Sequence, residues 1–261
     1  MKKIYTQKEI DEWESTNDPI MNSLWYKNRP GIRRSGINVK ITSLEMVTLY
    51  EYDMDPVSFI HNHGIVYPSG NRCKPILHDD QIRMLRDHEV KRFYPVYLPR
   101  QSGLSSSIQF MALHDLVFKG SDVVIICKSL RRSAELIKRI MEMYAELPFY
   151  MKPGVDSMED VSVRFENGGR ITAWPADRPM GRNIDCLFVD DFQYMDRKSR
   201  ESIFRTWVPV MSSLVLTRIF IGTSGGIPEE FRDIREFAMF MCDDIKWITV
   251  KDRGISTFYQ D

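Results

Sequence analysis

At 261 residues, with 43% hydrophobic and 28% charged residues, the chain can bury a large core and is too apolar to stay disordered. Lysine plus arginine equals aspartate plus glutamate, 36 each, so the overall field points to no nucleic-acid partner, although a local basic face is compatible with a zero sum. No apolar run approaches a membrane span, and the polar start MKKIYTQKEIDEWESTND does not read as a signal peptide. Cys73, Cys127, Cys186 and Cys242 are scattered with no CxxC pair, the pattern of buried thiols in a reducing compartment.

The first forty residues read as irregular, with Pro19, Pro30 and Gly31 and a basic cluster at Lys27, Arg29, Arg33 and Arg34. Short helices are expected over 43–53 and 56–61, then a turn-rich loop, "YPSGNRCKP". From there the pattern is regular. A helix is expected over 79–90, a strand over 94–98, a helix over 104–118 and a buried strand over 123–127. "SLRRSAELIKRIMEMYAEL" is a helix with Ser129 as its N-cap, and "VSVRFENGGRITAWP" a hairpin around Asn167-Gly168. "IDCLFVDD" reads as a buried strand, followed by a helix over 198–211. A strand in "LVLTRIFIGTS", a helix over 229–240 and a strand over 245–250 complete the series. Apolar strands alternating with amphipathic helices indicate an α/β domain with a mostly parallel sheet, in which ligands bind beyond the carboxyl ends of the strands.

Those strand ends carry the candidate chemistry. After the strand over 94–98 comes Pro99-Arg100-Gln101-Ser102-Gly103-Leu104-Ser105-Ser106-Ser107. A phosphate-binding loop needs a glycine so that amides can curl round the anion. It also needs a helix N-terminus, a lysine, and a hydroxyl for magnesium. Gly103 and Ser105 fit; Leu104 occupies the lysine position, so a plain capped turn is the competing reading. "CLFVDD" ends in Asp190-Asp191, the Walker B arrangement, in which one acid meets magnesium and the next acts on water; two turn aspartates are the alternative. Thr223 and Ser224 end another strand, where hydroxyls can sense a γ-phosphate or simply begin a loop. Gln81 sits on the helix before the loop strand, with an amide that matches the N6 and N7 edge of adenine. His61, His63 and Cys73 are too few for a zinc site. Arg131, Arg132, Lys138 and Arg139 give one helix a basic face that is either solvated or meets a nucleic-acid backbone.

Glutamine, phosphate loop, Walker B and Thr/Ser strand end stand in the order of a RecA-like motor ATPase. From about Leu44 to Val250 the chain resembles the ATPase domain of the terminase large subunits of tailed phages. The resemblance rests on "PILHDDQ", "LPRQSGLSSS", "YAELPFYMKPGV", "VRFENGGRITAWPA", "MGRNIDCLFVDDFQYM" and "IFIGTSGG". It implies an α/β P-loop NTPase fold of the RecA-like, additional-strand type. Residues 1–60 would form an N-terminal extension and 61–261 the ATPase domain, with no nuclease domain in this chain.

By position it implies Gln81 at adenine and a loop from Arg100, Gln101, Ser102, Gly103, Leu104, Ser105 and Ser106 round the phosphates of ATP. Ser105 and Asp190 would hold Mg2+, Asp191 would activate water, Arg100 would face the γ-phosphate, and Thr223 and Ser224 would couple hydrolysis to movement. In the family the arginine normally precedes the glycine of the loop seen here as Met180-Gly181-Arg182-Asn183. The implied partners are double-stranded DNA, a portal protein and a small terminase subunit. The implied assembly is a homo-oligomeric ring in the host cytoplasm, docked transiently on the procapsid and involving no membrane. The departures are Leu104 for lysine, with Arg100 as the displaced basic residue, and Asp191 for the usual glutamate. They leave two functions open: an ATP-driven packaging motor, or a nucleotide-binding subunit that does not hydrolyse.

Overall fold

A computed structural model describes residues 3–16, 18–67, 70–91, 93–98, 100–178, 182–203, 218–224, 245–250 and 255–260. Its first strand, β1 (Ile4–Thr6), pairs in parallel with β2 (Asn38–Lys40), and helices α1 (Gln7–Thr16) and α2 (Met21–Leu24) lie between them. Ile10, Met21, Leu24, Trp25, Ile37 and Phe149 form a small apolar cluster of their own. The basic cluster of this segment is not all solvated. Arg33 is 8% exposed, donates to the carbonyls of Lys152 (2.6 Å) and Ile37 (2.5 Å), and pairs with Glu166 at 3.2 Å.

Helices α3 (Ser43–Met54) and α4 (Pro56–His63) follow, close to expectation. Thr42 and Glu45 form a capping box at α3, and Asp55 caps α4 with proline in its first turn. Next come α5 (Asp79–Val90), β3 (Phe93–Leu98), α6 (Leu104–His114) and β4 (Asp122–Ile126). A wide π-turn over Asp115–Lys119 ends α6, where a helix over 104–118 was expected. Helix α7 (Leu130–Ala145) is capped by Ser129, whose hydroxyl accepts from the Arg132 amide at 3.3 Å.

Strands β5 (Val155–Glu159), β6 (Ser162–Phe165) and β7 (Arg170–Ala173) form an antiparallel meander. The turn between β6 and β7 is four residues long. Gly168 is left-handed, and the Asn167 amide donates to Leu116 O, tying the turn to the end of α6. Then come β8 (Cys186–Val189), α8 (Arg197–Ser202), β9 (Arg218–Ser224), β10 (Ile245–Val250) and β11 (Ile255–Gln260). The rest of the helix expected over 198–211, apart from Ile203, the whole helix over 229–240, and Cys242 lie outside the described residues.

Among the described residues nine strands make one sheet in the order β10-β11-β3-β9-β8-β4-β7-β6-β5. The middle five, β3, β9, β8, β4 and β7, are parallel; the flanking strands are antiparallel. The architecture is the expected α/β one with a mostly parallel sheet and flanking helices. One strand, β9, stands between β3, which leads into the glycine loop, and β8, which ends just before Asp190. Val123–Ile126 and Cys186–Val189 are fully buried, which is why both read as unbroken apolar runs. Helix α6 is buried on almost every side, with α5 and α7 packed against it, and its N-terminus is delivered to the carboxyl ends of the parallel strands.

Candidate functional site

The loop between β3 and α6 is built round Gly103. Its φ of +78° is one that L side chains rarely adopt, and a Cβ there would overlap Gln81 Nε2. The Gly103 carbonyl accepts from the Ser107 amide (2.9 Å), the Ser107 hydroxyl (3.2 Å) and Gln81 Nε2 (3.4 Å). Gln81 is 6% exposed, and its Oε1 accepts from the His78 amide at 3.1 Å. The structure therefore places Gln81 beneath the loop with both ends of its amide engaged by the chain itself, whereas the resemblance implies an adenine contact for it.

Beyond β8, Asp190 is fully buried. Its Oδ1 accepts from the Asp191 amide at 3.0 Å, and its Oδ2 is buried without a hydrogen-bond partner among the described residues. Burial pushes its carboxyl up to about 6, the Ser105 hydroxyl beside it pulls the other way, and the charge of Asp191 adds to the rise. Ser102 Oγ, in the loop itself, is likewise buried and unpartnered. Such orphaned oxygens are rare in folded proteins and mark places where a partner is due. A carboxylate and a hydroxyl meeting at a strand end are the hard oxygen donors that Mg2+ takes.

Asp191 and Gln101 both hold left-handed backbones (φ 56° and 66°), two of four non-glycine residues to do so among those described. Strain of this kind concentrates at functional sites. Both line one cleft of about 960 Å³ with Arg100, Lys128, Ser129, Arg131, Arg132, Glu135 and Tyr194. Arg100 lies with its guanidinium carbon 5.5 Å from the centroid of the Tyr194 ring. Ser106 is partly exposed on the first turn of α6.

Leu104 is absent from that cleft. It is 5% exposed and turned into the core against Gly222 of β9. Thr223 is 1% exposed, its hydroxyl has no hydrogen-bond partner among the described residues, and strand alternation sets it on the face opposite Gly222. Ser224 ends β9 in register with Leu98 at the end of β3. Arg182 is committed elsewhere. It grips Asp122 at the start of β4 with Nε (2.8 Å) and Nη2 (2.9 Å), at the far end of the sheet. Met180 and Gly181 lie outside the described residues.

No family model matches the chain. Solved structures do. The large terminase ATPase domain of Thermus phage P74-26 is 18% identical at a TM-score of 0.49, over 60% of this chain and 68% of that one. The HK97 bacteriophage large terminase is 12% identical at 0.48, over 66% of this chain and 37% of that one. The large terminase of a thermophilic bacteriophage is 10% identical at 0.45, over 62% of this chain and 42% of that one. This chain thus spans less than half the length of the last two proteins.

A second charged cluster, which the sequence did not single out, sits at the opposite end of the same strands. Asp115 accepts from Arg218 Nη2 (2.9 Å) and the Cys186 thiol (3.1 Å), and its Oδ2 lies 2.8 Å from His88 Nε2. Burial alone would raise the Asp115 carboxyl, but His88, Arg218 and the thiol hold it well below the usual carboxylate range. With both oxygens so engaged, the cluster is a structural tie between α5, the end of α6, β8 and β9. His88, Asp115 and Cys186 have metal-ligand chemistry, but the Arg218 cation already occupies the carboxylate they would share.

Proposed function

We propose that the chain binds ATP with Mg2+ at this strand-end cleft and hydrolyses it as the motor domain of a viral DNA-packaging terminase. The observation that carries the nucleotide reading is the buried, half-unpartnered Asp190 carboxylate beside Ser105, with only β9 between its strand and the one that leads into a left-handed glycine loop at a helix N-terminus. Ser105 and Asp190 would hold Mg2+, which when bound neutralises charge on the phosphates. The amides from Gly103 to Ser106 face the anion with the N-terminus of α6 behind them. Asp191, next in the chain, accepts a proton from the attacking water. Arg100 directs its charge at the outer phosphates from the loop side, and Thr223 and Ser224 on β9 pass the state of the site to the rest of the sheet.

Double-stranded DNA, a portal, a small subunit and a ring of copies are the partners this reading calls for. They would meet in the host cytoplasm at the procapsid. Among the described residues no helix is long and apolar enough to cross a membrane.

The buried Leu104 favours a second reading, in which the site binds nucleotide without turning it over. Steady-state ATP hydrolysis by the wild type, Asp190→Ala and Asp191→Asn separates the two. Turnover lost in both variants, with ATP binding kept by Asp191→Asn, supports the motor. No wild-type turnover in the presence of DNA, but measurable ATP binding, supports the second reading; no binding at all sinks both.

A further inference from the structure

We infer that Lys128 supplies the charge that Leu104 does not, and that it reaches the terminal phosphate of the nucleotide from the Asp191 side of the cleft. This rests on the nucleotide reading above and adds a residue that no phosphate-loop pattern contains. Strands β4 and β8 are parallel, with Ile126 opposite Val189, and the Asp190 amide donates to Ile126 O at 2.9 Å. Continuing that register two residues sets Lys128 beside Asp191 at the mouth of the site.

Lys128 lines the same cleft as Arg100 and Asp191. Its ammonium lies 5.7 Å from the centroid of the Tyr194 ring, the ring that Arg100 approaches to 5.5 Å. Two cations thus converge on one aromatic side chain from the two walls of the cleft, Arg100 from β3 and Lys128 from β4. The other cationic residues of the cleft are partly neutralised, since Arg131 and Arg132 both pair with Glu135 at 3.3 Å. Among the described residues Lys128 and Arg100 have no such partner. The capped N-terminus of α7, which starts two residues after Lys128, adds its positive end to the same wall.

The terminal phosphate follows from the order across the sheet. Strand β3 carries the loop, β8 the acid that acts on water, and β4 lies beyond β8. A phosphate chain entering from the loop therefore ends near Asp191, with Lys128 past it. A lysine at that point contacts the phosphate that ATP has and ADP lacks.

The test is binding of a fluorescent ATP analogue and its ADP counterpart to the wild type, Lys128→Ala, Lys128→Arg and Arg139→Ala. Arg139→Ala removes an exposed charge from α7 outside the cleft and controls for the general field. Thermal unfolding of each variant confirms that it is folded. Loss of one charge-assisted contact should weaken ATP by about tenfold in Lys128→Ala. ADP affinity should hardly change, Lys128→Arg should restore most of the loss, and Arg139→Ala should behave as the wild type. Wild-type affinity for ATP in Lys128→Ala, or equal losses for ATP and ADP, overturns the assignment while leaving the nucleotide site standing. A wild type that binds neither nucleotide overturns both.

Discussion

Leu104 Cδ2 would lie 3.0 Å from a Cβ placed on Gly222, so the leucine that stands where a phosphate-loop pattern calls for lysine fills the space that a side chain on β9 would take. The substitution is built into the packing between α6 and the sheet. Leu104→Lys should therefore lower stability by about 2 kcal/mol, the scale of the apolar burial lost, with the stem of the lysine snorkelling out. Denaturant midpoints check this. ATP affinity should not improve, because the new ammonium starts from a buried position behind the loop.

Gly103 and Gln81 are coupled by the same close approach. Gly103→Ala places a side chain on a left-handed backbone and against Gln81 Nε2, and should cost about 2–3 kcal/mol. In a Gln81→Ala background the overlap vanishes and only the backbone cost, about 1 kcal/mol, should remain. A double-mutant cycle by chemical denaturation measures the difference; additive effects would mean that the two residues do not touch.

Asp115→Asn removes the charge that Arg218 and His88 share while keeping the shape of the side chain. Breaking one member of a buried ionic cluster leaves uncompensated charge, and a loss of about 3–5 kcal/mol is expected. The depressed Asp115 carboxyl also gives the sign of the acid response. Its contribution is present above the ordinary aspartate range and is lost as pH falls towards its folded value, so the gap between wild type and Asp115→Asn should close in strong acid. Unfolding curves from pH 7 downwards record it.

Lys152 is 3% exposed, donates to Ala145 O at 2.8 Å and sits 5.4 Å from the Trp25 ring centroid. Burial lowers its ammonium to about 8, against the pull of Glu14 and Glu146 and with some help from Arg33. A folded value below the unfolded 10.5 means that folding carries the cost of the buried charge below about pH 8 and sheds it between there and 10.5. That cost is about 3 kcal/mol. Relative to the wild type, Lys152→Met should be most favoured below pH 8, and its advantage should shrink as pH approaches 10.5. Thermal unfolding of both proteins across that range follows the trend.

The sequence was most readable where local and global preference agree. Asp79–Val90 carries its own helix signals, and Cys186–Val189 is apolar because both of its faces are covered. Strand β11 was not foreseen, since pairing beside β3 is a long-range event that leaves no periodicity in Ile255–Gln260. Gly103, Ser105 and Asp190 stand out in the sequence as candidates because backbone curvature and oxygen donors impose residue types at fixed places. Lys128 does not, because it enters the cleft through the register of β4 against β8. The packing of Gln81 under Gly103 is not legible either, since nothing in sequence tells which way an amide faces. Arg182 followed the same rule: its tie to Asp122 spans sixty residues of chain.

Residues 33–36 pass the first residue of β5, the last strand of the sheet. Ser35 N donates to Val155 O (3.2 Å), Val155 N to Arg33 O (2.7 Å), and the Glu166 carboxylate accepts from both Gly36 and Gly154. This stretch therefore acts as a guard rail. It occupies both backbone groups of Val155, which an exposed edge strand would offer to any extended chain, including another copy of itself. In a ring of identical neighbours, such as the proposed function calls for, that removes one starting point for β-pairing between copies.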